Sequence, residues 1–167
     1  MKNVLKKLLL GVMCFSAVVA IVTITGCDKE AVENDGASYV DLGLPSGTLW
    51  KSTNEEGLYN YDSAVETFGS KLPTSEQIDE LRTHCQWVWD EQRKGCMVIG
   101  ENKKSIFMPA AGINSCGIYY VGTDGYYWSS TILDIGGPAI GLSFYKDGVS
   151  MIEVNPAIGM SVRLVKD

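Results

Sequence analysis

Histidine is almost missing from this chain: His84 is the single one among 167 residues. Nucleophile–base catalysis would have to rest on His84 and its neighbour Cys85, and adjacent positions at a helix end point their side chains in different directions. The pair therefore reads as a half-exposed His84 and a core Cys85. The nucleophile turn Gly-x-Ser-x-Gly is absent too, since Gly141-Leu142-Ser143 and Gly159-Met160-Ser161 both lack the closing glycine. Basic excess is also lacking: 14 Lys and Arg stand against 20 Asp and Glu, a formal charge of −6, which argues against a nucleic-acid partner. No internal repeat, heptad or low-complexity block appears. The expectation is a non-enzymatic protein without a cofactor, one domain in size.

What is present begins with an address. Lys2, Lys6 and Lys7 precede an almost continuously apolar run from Leu8 to Ile24, followed by Gly26-Cys27. The run has nearly the length of a membrane span, but its basic start and small-residue ending read as a secretory signal over residues 1–26. Ile24-Thr25-Gly26-Cys27 resembles a bacterial lipobox, in which the cysteine is lipidated and becomes the first residue. On that resemblance Cys27 carries acyl chains and holds the protein on a membrane. Loss of the signal removes three of the 14 basic residues and no acidic one, so the formal charge falls from −6 to −9. Residues 27–37 are polar and read as a tether. Within them Asp28-Lys29-Glu30 resembles the export signals of Bacteroidetes lipoproteins, or is an ordinary polar start. An outer-membrane lipoprotein is expected, surface-exposed on the first of these readings.

Of five cysteines, Cys14 belongs to the signal and Cys27 to the anchor, leaving Cys85, Cys96 and Cys116. An odd count cannot complete a disulfide framework. A hairpin through Trp87-Val88-Trp89 and Met97-Val98-Ile99 would separate Cys85 from Cys96 by roughly 13 Å, past the ~7 Å Cα limit for a bridge. Three free thiols are expected.

From Tyr39 to the C-terminus the pattern is of short strands and helices. Tyr39-Val40-Asp41-Leu42 and Thr48-Leu49-Trp50-Lys51 flank the turn Leu44-Pro45-Ser46-Gly47. Residues 61–69 suit two helical turns that end at Gly69, with Ala64, Val65 and Phe68 toward the core. Thr74 and Gln77 form a capping box for a helix from about Ser75 to His84, with Ile78, Leu81 and Cys85 at helical spacing. Period-two segments follow: a hairpin through Trp87 and Val98, then Ser105-Ile106-Phe107-Met108, then a surface excursion over residues 113–125. Gly125-Tyr126-Tyr127-Trp128-Ser129-Ser130-Thr131 is expected as the central strand. A hairpin turning at Lys146-Asp147-Gly148 and a last strand, Met160-Ser161-Val162-Arg163-Leu164, complete the sheet.

Several blocks taken together resemble one family. Tyr39-Val40-Asp41-Leu42-Gly43-Leu44-Pro45-Ser46-Gly47-Thr48-Leu49-Trp50, Leu72-Pro73-Thr74 with Glu76, Cys85-Gln86-Trp87-Val88-Trp89, Ser105 to Gly112, the Trp128 strand and Gly159-Met160-Ser161-Val162-Arg163 are similar, in that order, to the Fibrobacter succinogenes major paralogous domain. The resemblance implies an α+β, C-type-lectin-like domain over residues 38–167: two helices flanking short antiparallel sheets, paired terminal strands and an excursion that presents a ligand surface. The chain departs from the family between Trp50 and Leu72, where it is shorter. The related formylglycine-generating enzymes end in a similar strand but work through two cysteines near the C-terminus, and no cysteine follows Cys116 here. Calcium-dependent lectins place a carboxylate and an amide either side of a proline. Pro138 lies between Gly137 and Ala139, and Pro156 between Asn155 and Ala157, so no metal is expected, Asp134, Asp147, Glu153 and Asn155 being solvated loop groups.

A ligand would then meet tyrosines. Trp50, Trp87, Trp89 and Trp128 are faces on which sugar rings could stack, with Trp128 and the face shared by Trp87 and Trp89 read first as core. Tyr119, Tyr120, Tyr126 and Tyr145, with Asp124 and Asp134, lie near Gly-rich loops and form the candidate site for a glycan or protein ligand. The competing reading is an assembly lipoprotein that packs against another envelope protein and would show a continuous exposed apolar patch.

Overall fold

The computed structural model describes residues 38–167. The expected signal, the tether and the lipidation site Cys27 lie outside the described residues. Strands β1 (Tyr39–Asp41) and β2 (Leu49–Lys51) pair across the predicted turn, closed by a 2.9 Å bond from Gly47 N–H to the Leu44 carbonyl. Helix α1 (Tyr61–Phe68) begins where the Asn60 side chain accepts from Ser63 N–H at 2.8 Å, and it stops at Gly69, whose φ of +52° favours glycine. Tyr61 and Ala64 are its buried residues, and Val65 is exposed. The expectation of a core-facing Val65 is corrected: so short a helix meets the core along a narrow line.

Helix α2 (Ser75–His84) carries the capping box read from the sequence. Thr74 Oγ1 accepts from Gln77 N–H at 3.2 Å, while Gln77 Oε1 accepts from Thr74 N–H at 2.9 Å. Its buried residues are Ile78 and Leu81. The chain then becomes extended at Cys85 and runs into β3 (Gln86–Asp90), β4 (Gly95–Ile99) and β5 (Ser105–Pro109), an antiparallel sheet in which Trp89 faces Cys96. Cys85 thus lies four residues down the strand from the position opposite Cys96, and Cys85, Cys96 and Cys116 are all free.

A small hairpin of β6 (Ile113–Asn114) and β7 (Ile118–Tyr119) leads into β8 (Asp124–Ile132), β9 (Ala139–Tyr145) and β10 (Gly148–Val154). Their sheet has the order β10-β9-β8, so β9 is central and β8 is not. The outer side of β8 is nevertheless occupied. Ser161 N–H donates to the Tyr126 carbonyl at 2.9 Å, Trp128 N–H to the Ser161 carbonyl at 3.1 Å, and Gly112 N–H to the Asp124 carbonyl at 3.0 Å. Successive strand residues face opposite sides. Accordingly Tyr127 lies in one hydrophobic cluster with Trp50, Leu81 and Phe144, and Trp128 in another with Tyr61, Leu72 and Met160.

The last strand is shorter than expected. Its one ladder strand is β11 (Val165–Lys166), which pairs with β2, so β1 and β11 share a sheet but each contacts β2 rather than the other. Residues 160–164 thread through the interior instead, exchanging backbone bonds with Tyr59, Tyr126, Glu55 and Lys51. A strand needs one continuous neighbour, and this segment has several. Among the described residues the fold is thus mixed, with two α-helices and several small antiparallel sheets.

Candidate functional site

The excursion before β8 presents an aromatic strip. The rings of Tyr119 and Tyr120 lie 6.4 Å apart and those of Tyr120 and Tyr126 6.3 Å apart. Tyr119 and Tyr120 are 51% and 57% exposed, while Tyr126 is half-buried, its phenol pushed above the ordinary range by burial and then by Asp124 and Tyr120. Tyr120 adopts φ +63°, a left-handed backbone that costs a non-glycine residue about 1–3 kcal/mol. Its carbonyl holds that shape by accepting from Thr123 N–H at 3.2 Å and Asp124 N–H at 3.0 Å. Ile118 and Val121 extend the exposed run on either side.

Next to the strip is a groove of about 350 Å³. Sheet register brings its walls together: Asp124 at the start of β8 faces Tyr145 at the end of β9, and Lys146 follows in the β9–β10 turn. The opposite wall comes from Trp89 and from Glu91 and Lys94 in the β3–β4 turn. Two backbone bonds tie this turn to the excursion, Ala110 N–H to the Lys94 carbonyl at 3.0 Å and Gly122 N–H to the Ala110 carbonyl at 2.7 Å. Lys94 is also left-handed, at φ +54°. A hollow of about 200 Å³ continues past Trp89 and Tyr145 toward Trp87 and Val149.

Both ammonium groups of the groove meet Glu91. Lys146 Nζ lies 2.6 Å from one Glu91 carboxylate oxygen and Lys94 Nζ 3.3 Å from the other. The Lys146 bond, the Trp89 indole and the Lys94 bond, in that order, hold the Glu91 carboxyl down at about 2. Trp89 Nε1 falls short of hydrogen-bond geometry, so its contribution to Glu91 is that of a nearby dipole. Asp124 accepts from the Thr123 hydroxyl on one oxygen.

Asp124 thus joins the strip (Tyr119, Tyr120, Tyr126) to the groove that contains Tyr145. Asp134 is not part of this site. It lies beyond the far end of β8, whose nine residues span roughly 26 Å, beside a separate hollow lined by Gly136, Gly137, Pro138, Asn155 and Pro156. Glu91, Lys94 and Lys146 were missed as site residues by the sequence reading, in which Trp89 stood first as core with sugar stacking as the alternative. Charged turns at the ends of two separate hairpins were the available signal.

No family model, curated protein or solved structure matches this chain.

The remaining chemistry is sparse. His84 is exposed, its Nδ1 3.6 Å from Glu101, and burial, followed by Glu101 and Glu80, pushes the Cys85 thiol up to about 11. A thiol so raised is a poor nucleophile at neutral pH. Among the described residues no three His, Cys, Asp or Glu gather as metal ligands would. The site offers aromatic faces, a Glu91 carboxylate held by two lysines, and an Asp124 carboxylate bonded to Thr123 on one oxygen.

Proposed function

We propose that this chain is a lipid-anchored, non-catalytic binding module of the cell envelope, held at the outer membrane through Cys27 and presenting a C-type-lectin-like domain to a glycan or protein ligand. The observation that carries the reading is the junction at Asp124, where an exposed tyrosine strip meets a groove large enough for a small ligand. Tyrosines of this kind supply large contact area at low conformational cost. The test is binding of the full-length protein in detergent micelles to a glycan array and, separately, photocrosslinking to envelope proteins. Tyr120→Ala is expected to weaken whichever contact is found, and contacts indifferent to it would count against the site. Incorporation of labelled palmitate that disappears in Cys27→Ala tests the anchor.

One observation favours an assembly role instead. Ile118, Tyr119, Tyr120 and Val121 are consecutive, exposed and largely apolar, and exposed apolar surface of this kind marks protein contacts. Stoichiometric co-purification with one envelope protein, without glycan binding, would select that reading.

A further inference from the structure

The groove itself points to one ligand chemistry. Its two carboxylates, Glu91 and Asp124, are balanced by two ammonium groups, Lys94 and Lys146. The groove therefore carries no net charge, and a neutral ligand leaves the 2.6 Å Lys146–Glu91 contact in place. Unused hydrogen-bonding capacity remains. The Asp124 carboxylate oxygen turned away from Thr123 accepts from no side chain or backbone group among the described residues, and each ammonium group, with three donors, has one described acceptor. Tyr145, 51% exposed, and half-buried Trp89 line the same space. Gly122 leaves the floor without a side chain. Apolar ring surface beside spare donors and acceptors, with no net charge, matches a ligand having carbon–hydrogen faces and hydroxyl edges.

We infer that this groove is a subsite for a neutral pyranose, its face against Trp89 and Tyr145 and its hydroxyls reaching Asp124, Lys94 and Lys146. The inference deepens the binding-module reading and rests on it. The volume, about 350 Å³, admits a mono- or disaccharide. An acidic sugar is disfavoured because its carboxylate would lie beside those of Glu91 and Asp124.

The test is saturation-transfer NMR on the full-length protein in micelles with methyl mannoside, maltose, cellobiose and diacetylchitobiose, each compared with glucuronate. At least one neutral probe is expected to bind, and glucuronate more weakly than it. Tyr145→Ala, at an exposed position, is expected to weaken that probe about threefold to tenfold, with Val65→Ala as the unaffected control. Trp89→Phe supplies a second reading should Tyr145→Ala fail to fold. Neutral-sugar binding unchanged in both variants, preference for glucuronate, or no binding by any of the probes would overturn the subsite. Sugar binding lost only in Tyr120→Ala, or a protein partner without sugar binding, would overturn it while leaving the module reading standing; absence of both sugar and protein partners would remove the two together.

Discussion

Arg163 and Tyr127, both almost wholly buried, are joined through the side chain of Asn54, which accepts from Arg163 Nε at 2.8 Å and donates to the Tyr127 hydroxyl at 3.0 Å. The guanidinium also donates to the Lys51 carbonyl at 2.8 Å and the Phe107 carbonyl at 2.7 Å, and the Tyr127 hydroxyl donates to the Pro109 carbonyl at 2.8 Å. One cation therefore ties β2, β5 and the threaded C-terminal segment together, and Asn54 extends the tie to β8. Burial lowers the Arg163 pKa from its ordinary value and raises Tyr127 to about 12.

Arg163→Ala would strip bonds from two carbonyls and from Asn54 at once. A loss of about 3–5 kcal/mol is expected, with about 1–3 kcal/mol for Asn54→Ala, and the double variant should cost less than the two together because they share a bond. Urea denaturation measures all three. Additive losses would mean that Asn54 does not couple the pair.

Tyr127 also sets an alkaline limit. Its folded pKa, about 12, is above the unfolded value near 10, so its contribution is complete below about pH 10 and is lost as pH rises through about 12. Stability should fall over that window, and Tyr127→Phe should fall less. Equal slopes for the two proteins would speak against a buried, protonated phenol.

Gly125 faces Phe144 across the β8–β9 ladder, and a methyl group there would overlap the ring. Gly125→Ala is expected to cost about 1–3 kcal/mol by overpacking. At Gly136, φ +77° with open space around it, alanine brings only backbone strain of about 1–2 kcal/mol. Near-UV circular dichroism separates the cases, since only the first should disturb the aromatic environment.

The thiols should differ in reactivity. Cys116 is exposed, whereas burial raises Cys85 and Cys96 to about 11. Near pH 7.5 a water-soluble thiol reagent should modify Cys116 first, with Cys85 and Cys96 reacting fully only after denaturation. Peptide mapping reads the order, and early modification of Cys96 would contradict the packing of β4.

Glu91 bears on acid conditions. Its folded pKa, about 2, is below the unfolded value near 4.3, so the stabilisation by Lys146 and Lys94 is present above about pH 4.3 and lost as pH falls through about 2. The group is fully exposed and screened by salt, so the effect on stability is small. Titration of the Glu91 carboxyl carbon by NMR is the direct check, and a midpoint near 4.3 would show that the pairing does not persist.

Much of the local structure was legible. The Thr74–Gln77 box, the Gly69 stop and the hairpin through Trp87 and Val98 depend on residues close in sequence, whose chemistry acts over one or two turns. Val65 was misread because the width of a helix's buried face depends on what lies beneath it. The Tyr119–Tyr120–Tyr126 strip follows from a short excursion doubling back on β8, so its members were within reach of composition and turn signals. The groove was not, because its walls come from two hairpins and meet only through sheet register.

Sequence alone determined the helix starts, most strand positions and the apolar alternation that sends Tyr127 and Trp128 to opposite faces. These are consequences of propensity, capping and period, which need no distant partner. Tertiary structure decided that β9 rather than β8 is central, that residues 160–164 thread the interior and bury Arg163, that Asp134 stands apart, and that Lys94 and Lys146 converge on Glu91. Each of those depends on contacts between residues far apart in the chain, where hydrogen-bond satisfaction and packing select one arrangement from many that the local pattern allows.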